Sequence, residues 1–365
     1  MAKRSSTPSP RSPGRKPSRP PRTPAALDKL SDARLLALRF KDLPISIERS
    51  PIAERVEQLH DELARADIRL RPHAWLSDEW FTPRGVPGIA VPFYLAHPRL
   101  TRLERSMMLE AEGESHAACM RILRHEAGHC VQYAFRLNRR KRWRELFGLS
   151  STPYPESYLP KPFSRDYVQH LDNYYAQAHP EEDFAETFAV WLTPTINWRK
   201  RYADWPAIEK LEYVDEVMAE LAGEVAPVKS RRKPEGIASN ANTLRVHYEQ
   251  RRAAVSIDEP DMYARDLMRL FPPPPEGDAT RRTTSRAGVF LRRNRRELVR
   301  TVARYTGHYQ YAIDSVADEM IARCAQLKLR LPPDRDEHQL RVEAAALLTV
   351  IAMNEIHGGG LRVSI

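Results

Sequence analysis

The most regular hydrophobic pattern in the chain begins near Ser115 and continues to about residue 137. Apolar residues recur there every three or four positions, which places them on one face of an amphipathic helix. The same spacing predicts helices at residues 180–192 and 206–221. Further helices are predicted at residues 27–38, 50–67, 165–177, 287–329 (with a break at Gly307) and 335–356.

Extended segments precede the helix at residues 115–137. Residues 45–47 and 68–76 have the short apolar runs that are typical of strands. Residues 85–95, GVPGIAVPFYL, are also apolar but contain two prolines. Because proline has no backbone N–H to donate, this run is predicted to be an edge strand. Strands and helices that alternate in this way ahead of a long helix predict the fold class α+β.

Changes in composition along the chain predict four regions. Residues 1–25 alternate proline, serine and basic residues, a composition that favours disorder over a packed core. Residues 26–224 carry regular hydrophobic patterns and are predicted to form one folded domain. Residues 225–284 are predicted to contain a linker and short helices, and residues 285–365 to form a small helical C-terminal domain.

The net charge of +10 is concentrated in the predicted tail, residues 1–25. The tail holds seven basic residues and no acidic one, so the rest of the chain carries only about +3. Such a tail is predicted to be solvated, with a weak anionic partner as the alternative. The high net charge therefore says little about the folded part of the chain.

Membrane insertion and secretion are not predicted. No apolar run approaches the roughly 20 residues that cross a bilayer, and no apolar segment follows the basic start of the chain as in a secretory signal. The three cysteines, Cys119, Cys130 and Cys324, show no CxxC spacing. This argues against a disulfide framework and fits a reducing compartment. We therefore predict a cytoplasmic protein.

The segment RHEAGH at residues 124–129 contains an H-E-x-x-H motif on a predicted helix. Residues four apart lie one above the other on a helix, so His125 and His129 can bind one tetrahedral zinc ion from the same side. Glu126 is rotated by about 100° from His125, where it can take a proton from a water at the ion's open position. The motif thus predicts two zinc ligands and a general base.

A third zinc ligand must come from another segment. A longer HExxHxxGxxH motif would require glycine at position 132 and histidine at position 135, where this chain has Gln132 and Phe135. That class of metallopeptidase is therefore excluded.

The better third ligand lies in HPEEDFAETFAVWL, residues 179–192. Glu182 can bind the ion, and Glu186, one helical turn on, can accept the N–H of a ligating histidine. Glu181 or Asp183 could replace Glu182 if the helix starts later than predicted. Acidic residues also favour a helix start without any metal, but this does not explain Glu186 among apolar neighbours.

RHEAGH together with AHPEEDFAETFAVWL resembles the paired motifs of gluzincin metallopeptidases. The combination looks like bacterial proteins called putative zinc-binding metallopeptidases, whose second motif reads A-H-P-x-E-D-[FW]-A-E-T. The resemblance covers about residues 85–195. It implies a zincin-like metallopeptidase core with a mixed sheet and an active-site helix. The implied site has one Zn²⁺ ion on His125, His129 and Glu182, with Glu126 as the base and Glu186 supporting a ligand.

The resemblance also implies features that bind substrate. Gluzincins often place a tyrosine or histidine near the oxyanion, and Tyr175 matches such a tyrosine in toxin-type members, with the adjacent Tyr174 as the alternative. In zincins an exposed strand above the metal pairs with an extended peptide. Residues 88–93 are the candidate for that strand. The alternative is a buried strand that does not contact substrate.

Together these patterns predict a zinc-dependent metallopeptidase that hydrolyses peptide or protein substrates. The alternative is a catalytically silent zincin-fold protein that binds protein or nucleic acid. Basic clusters at residues 229–233 and 281–300 could meet nucleic acid, although no aromatic residues are interleaved in a pattern that binds single strands. The intact Glu126 favours the enzyme, because a binding module does not need a general base.

Overall fold

The computed structural model describes most of the chain outside its first 19 residues. The described residues are 20–155, 157–158, 160–162, 164–255, 263–273, 286–332, 335–357 and 363–364. Most of the predicted tail, and residues 281–285 of the second basic cluster, lie outside them. The anionic partner of the tail and the cytoplasmic location stay predictions.

The described ranges contain thirteen α-helices and four short strands. The helices are α1 (Asp32–Leu36), α2 (Ile52–Arg65), α3 (Pro98–Met108), α4 (His116–Phe135), α5 (Lys141–Phe147), α6 (Pro180–Leu192), α7 (Trp198–Arg201), α8 (Ile208–Glu220), α9 (Leu244–Val255), α10 (Ala264–Leu270), α11 (Ala287–Thr306), α12 (Gln310–Gln326) and α13 (Glu337–His357). The strands are β1 (His73–Ser77), β2 (Gly88–Pro92), β3 (Ser157–Tyr158) and β4 (Val363–Ser364). None of these helices is both long enough and apolar enough for a membrane span.

The sheets are small. β1 and β2 pair in parallel, with His73 opposite Gly88, and β3 pairs with β4 in antiparallel orientation. The part of the chain that the structure describes is thus mostly helical with a small parallel sheet, which is compatible with the α+β class. In the described ranges the parallel and antiparallel strand pairs lie in separate sheets, and β2 also has an antiparallel bridge from Ala90 to Phe81. The mixed sheet stays a prediction. The zincin-like core stays a prediction.

The strand predicted at residues 45–47 is wrong. The structure has a short 3₁₀ helix there, Ile47–Arg49. The Ser50 hydroxyl donates a hydrogen bond to the Ile47 carbonyl at 2.8 Å, and this local bond closes a turn that a strand could not accommodate.

Two large hydrophobic clusters account for most of the buried apolar side chains. The first joins α2, α4 and α6 through residues such as Leu59, Leu123 and Phe184, and it also includes Tyr248 from α9. The second joins α10 to α13, with Ile313 fully buried near its centre. Residues on both sides of position 224 therefore share the first cluster. The bounds of the four predicted regions stay predictions.

An ion pair fixes α4 against α2. Arg124 donates two hydrogen bonds to the Glu62 carboxylate, each at 2.8 Å, and both side chains are largely buried. A bidentate guanidinium–carboxylate pair constrains orientation as well as distance. Because Arg124 directly precedes His125, the pair fixes the rotation of α4 about its own axis.

Gly128 allows α4 and α6 to approach closely. A Cβ atom added at Gly128 would lie 2.8 Å from the Ala185 Cα atom and 3.0 Å from the Ala185 carbonyl oxygen. Both obstructing atoms belong to the backbone and cannot turn aside. The glycine within the HEAGH segment therefore brings the two helices together at the level of the motif.

We expect Gly128→Ala to lower the free energy of unfolding. Overpacking a tight contact costs about 1–3 kcal/mol, which offsets or exceeds the gain of about 1 kcal/mol from alanine's helix propensity. Denaturant unfolding of the metal-free protein measures the change. Ala117→Gly, at an exposed position of the same helix, reports the propensity effect alone. A Gly128→Ala protein that is about 1 kcal/mol more stable than wild type would contradict the close contact.

The helix predicted at residues 165–177 is largely wrong. Only Asp172–Gln177 forms a short 3₁₀ helix, and it is kinked where Asn173 and Tyr174 adopt left-handed backbone angles, with φ of 62° and 57°. The Leu171 N–H donates to the Glu186 carboxylate at 2.8 Å instead of to a helical carbonyl. A contact with α6 thus replaces regular structure in this segment, which we name the 171–178 loop.

The turn between α11 and α12 supports the 171–178 loop. The Asn173 side-chain amide donates to the Gly307 carbonyl at 3.0 Å. Gly307 has a φ of 75°, and a Cβ atom there would collide with the Asn173 side chain. Glycine is the residue that tolerates both conditions. The helices that follow residue 286 therefore contact the segment that leads to Tyr175.

Candidate metal centre

Two helices bring the three predicted zinc ligands together. His125 and His129 lie on α4, and Glu182 lies in the first turn of α6. One ligand atom from each residue lies within 4.8 Å of the other two, and all three residues are buried. Segments more than 50 residues apart in sequence thus converge on one point.

The spacing of these atoms suits a tetrahedral ion. The Glu182 Oε2 atom lies 3.0 Å from His125 Nε2 and 3.2 Å from His129 Nε2, and the two Nε2 atoms are 3.2 Å apart. A tetrahedral zinc ion with bonds of about 2.0–2.1 Å separates its ligand atoms by about 3.3 Å. Two nitrogens and one oxygen are a common donor set for a zinc site that keeps a fourth position open.

The charges in this site also favour a cation. Three carboxylates, those of Glu126, Glu182 and Glu186, lie in or beside the site, and all are buried. The guanidinium of Arg124, the residue before His125, pairs with Glu62 instead. Burying several carboxylates without compensating positive charge is costly. A divalent cation among these residues would supply that charge.

The histidine and glutamate ligands shift each other's pKa. Burial lowers the pKa of His125, but hydrogen bonds to Glu182 and Glu186 outweigh it and raise that pKa well above its usual value. Burial raises the pKa of Glu182, but the imidazoles of His129 and His125 hold it well below its usual value. Glu182 is therefore ionised at neutral pH, as a zinc ligand must be. Protons and a metal ion compete for the same imidazole nitrogens.

Glu186 orients His125. The His125 Nδ1 atom donates to Glu186 Oε1 at 2.8 Å, while the other carboxylate oxygen accepts the Leu171 N–H at 2.8 Å. Protonation of Nδ1 leaves the Nε2 lone pair free to face the shared point with His129 and Glu182. The structure thus places Glu186 in contact with His125, and its support of a metal ligand stays a prediction.

Glu126 lies beside this cluster with unused hydrogen-bonding capacity. Its side chain is 6% exposed, and its Oε2 atom has no hydrogen-bond partner among the described residues. A buried acceptor without a donor costs free energy, so a water or a ligand is expected to fill this position. A general base needs such an oxygen.

The two alternatives to Glu182 contact other groups. Glu181 accepts hydrogen bonds from Gln132, Tyr133 and Arg84 at 3.0–3.2 Å. Asp183 pairs with the Lys210 amine at 2.7 Å on another side of α6. The phase of α6 is set at its start, where the His179 side chain accepts the Glu181 N–H at 3.1 Å. Glu182 is consequently the acid of the three that faces the histidines.

Tyr175 lies next to the histidine pair. Its ring centroid is 5.6 Å from that of His125. Desolvation raises the pKa of the Tyr175 hydroxyl well above its usual value, and the Glu182 and Glu126 carboxylates add to the shift. The hydroxyl is therefore protonated at neutral pH and available as a donor. No ring contact between Tyr174 and either histidine occurs in the described chain.

Tyr154 was not predicted from the sequence. Its hydroxyl donates to Glu182 Oε1 at 2.7 Å, the carboxylate oxygen that does not face the histidines. Its ring stacks on the His179 ring with centroids 3.8 Å apart, yet the side chain is still 44% exposed. Tyr154 lies in a proline-rich loop without periodic spacing, so no sequence signal indicated its role.

The strand proposed for substrate pairing, residues 88–93, does not have the expected exposure. Every residue of β2 is buried. β2 pairs with β1, and the Ala90 N–H also donates to the Phe81 carbonyl at 2.9 Å. On its second side β2 has a backbone partner at Ala90, and because all its residues are buried it offers no exposed edge to a peptide. The strand is thus buried, as in the alternative, and its lack of substrate contact stays a prediction.

Comparisons with known proteins identify one family. No match to the chain was found among curated proteins or among solved structures. The segment that does match a family model contains both motif helices, α4 and α6, and the 171–178 loop between them. The predicted resemblance to this family is thereby confirmed: residues 101–203 match the family described as putative zinc-binding metallo-peptidase. The bacterial origin and the gluzincin type stay predictions.

Proposed function

We propose that the chain is a zinc-dependent metallopeptidase that hydrolyses peptide bonds, with one zinc ion on His125, His129 and Glu182. The observation that carries the proposal is the convergence of two imidazole nitrogens and one carboxylate oxygen at 3.0–3.2 Å. Beside them lies a Glu126 oxygen that has no hydrogen-bond partner in the part of the chain that the structure describes. Three protein ligands and an open fourth position are typical of catalytic zinc. The family match supports the same reaction class.

When bound, zinc would lower the pKa of a coordinated water to about 7 and polarise a substrate carbonyl. Glu126 accepts a proton from the attacking water and later delivers it to the leaving amine. Tyr175, whose hydroxyl stays protonated, donates a hydrogen bond to the oxyanion that develops on the former carbonyl. The chain thus supplies ligands, a base and an oxyanion donor.

Tyr154 holds the third ligand in place. By donating to Glu182 Oε1, it leaves Oε2 to face the two histidines. This contact favours binding through one oxygen, which suits a tetrahedral site. Tyr154 therefore acts on the metal site by positioning Glu182.

The proposal is tested with the purified protein loaded with zinc. Digestion of a broad peptide library, read by mass spectrometry, should reveal new termini that disappear with a chelator and return with added zinc. A protein that binds zinc yet cleaves nothing in the library would instead favour the catalytically silent binding module.

We expect Glu186→Gln to weaken zinc binding by about 10–100-fold, the usual effect of losing a group that orients a metal ligand. The amide keeps the size of the carboxylate, but it is neutral and has one acceptor oxygen. It therefore cannot accept hydrogen bonds from both His125 Nδ1–H and Leu171 N–H as the carboxylate does. Competition with a chromophoric chelator measures the affinity.

Glu181→Gln is the matched control, because it neutralises another buried carboxylate of α6 that contacts neither histidine. Its zinc affinity should stay within a few fold of wild type. Equal losses in the two variants would mean that general destabilisation, rather than the orientation of His125, causes the effect.

A further inference from the structure

β3 lies beside the candidate metal site and pairs with a distant segment of the same chain. Ser157 is opposite Ser364, and Tyr158 is opposite Val363, in antiparallel register. β3 belongs to no other sheet in the described ranges. Its backbone partner is therefore the short segment β4, more than 200 residues further along the chain.

A chain of contacts connects β3 to the histidines. The Tyr158 side chain is buried and clusters with Ala178 and Tyr175. Its hydroxyl donates to the Asn173 carbonyl at 2.8 Å, which ties β3 to the 171–178 loop. Tyr175 in turn contacts the His125 ring. β3 is thus one side chain removed from the residues that would act on substrate.

Tyr154, which precedes β3 in the chain, also contacts the candidate metal site. It lies four residues before Tyr158 and donates to Glu182. Four residues of extended chain span at most about 13 Å. Tyr154 thus contacts the third candidate ligand, and Tyr158, close to it in sequence, contacts Tyr175.

Pairing with a strand is a common way to bind an extended peptide, because main-chain hydrogen bonds give affinity without requiring a particular sequence. β2 does not offer this, since all its residues are buried and Ala90 also bonds to Phe81 on the side away from β1. β3 is a strand next to the site whose partner strand in the described ranges is β4. In this structure, residues 363–364 thus pair with its backbone.

We propose that β3 is the peptide-docking strand of the site and that residues 363–364 occupy it in cis, in place of a peptide substrate. The proposal rests on the proposed peptidase function for the identity of its ligand, an extended peptide in antiparallel orientation. A pairing of two residues is marginal on its own. Its attachment to the same chain raises its effective concentration, so substrate must compete with it.

The test uses the full chain with Val363→Pro and Ser364→Pro together. Proline removes the N–H groups that β4 can donate and disfavours strand pairing. The matched control, Val363→Ala with Ser364→Ala, keeps both N–H groups. The probe is a fluorescent peptide with the sequence of residues 361–365, LRVSI. Its anisotropy reports binding, independently of any cleavage.

The proline variant should bind the probe at least 10-fold more tightly than wild type or the alanine control. Hydrogen exchange at the backbone amides of β3 should be faster in the proline variant and slow again when the probe is added. Equal probe binding by all three proteins, or binding by none, would overturn the proposal.

Peptide cleavage separates this proposal from the proposed function. An active enzyme should gain several-fold in kcat/KM in the proline variant, mainly through a lower KM, with unchanged zinc content. Tighter probe binding without cleavage in any variant would leave β3 as a docking strand and refute the peptidase. Cleavage with equal probe binding would support the peptidase and refute the docking strand.

Discussion

Replacing Glu126 with glutamine is expected to reduce peptide hydrolysis by about 10²–10⁴-fold, the usual contribution of a general base, while zinc remains bound. The glutamine side chain would fill the same space beside the histidines, but its amide cannot accept a proton from water at neutral pH. Zinc content and kcat, measured on the same preparation with a peptide found in the library digest, check both parts of the prediction.

The informative result is a loss of peptide hydrolysis without a loss of bound zinc. Glu126 is not one of the three clustered metal-ligand residues, so the zinc affinity measured by competition with a chelator should change little. Wild-type turnover in Glu126→Gln would refute the proposed mechanism. Loss of zinc together with activity would show instead that Glu126 is part of the metal-binding set.

The second large effect is expected for Glu182→Ala. This substitution removes one of three protein donors, and it also leaves the Tyr154 hydroxyl without its acceptor. We expect zinc affinity to fall by more than about 100-fold, beyond the range for residues that only orient a ligand. Metal analysis after gel filtration, beside wild type, measures the loss.

Asp183→Asn is the control for Glu182→Ala, because Asp183 was an alternative ligand in the sequence and faces Lys210 in the structure. It should retain zinc at the wild-type stoichiometry, with circular dichroism confirming that both variants are folded. Zinc loss in Asp183→Asn but not in Glu182→Ala would reassign the third ligand.

Local sequence determines the first half of the site. The helical period alone places His125 and His129 on one face, and α4 extends over His116–Phe135 close to the predicted bounds. The third ligand requires two helices to meet, and sequence left three acids open. His179 as N-cap and Pro180 in the first turn set the phase of α6, and the structure thereby distinguishes Glu182 from its neighbours.

Tertiary contacts determine what the sequence did not predict. Residues 165–177 have helical spacing, but the Leu171 N–H bonds to Glu186 and the following residues turn left-handed. Tyr154 reaches Glu182 from a loop without periodicity. The prolines around β2 suggested an exposed edge, whereas all of β2 is buried and Phe81 bonds to Ala90 on its second side. Each of these errors concerns a contact between segments that the local pattern does not connect.

The hydrogen bond between Asn173 and Gly307 means that residues 101–203 depend on a segment outside them for part of their conformation. Asn173 and Tyr174 hold backbone angles that cost about 1 kcal/mol or more each for residues other than glycine, and the α11–α12 turn stabilises them from outside that segment. A transplanted copy of residues 101–203 in a foreign scaffold would retain every donor atom for the cation but would lose this brace. Tyr175 would then sample several orientations, so such a chimera should chelate zinc far better than it catalyses.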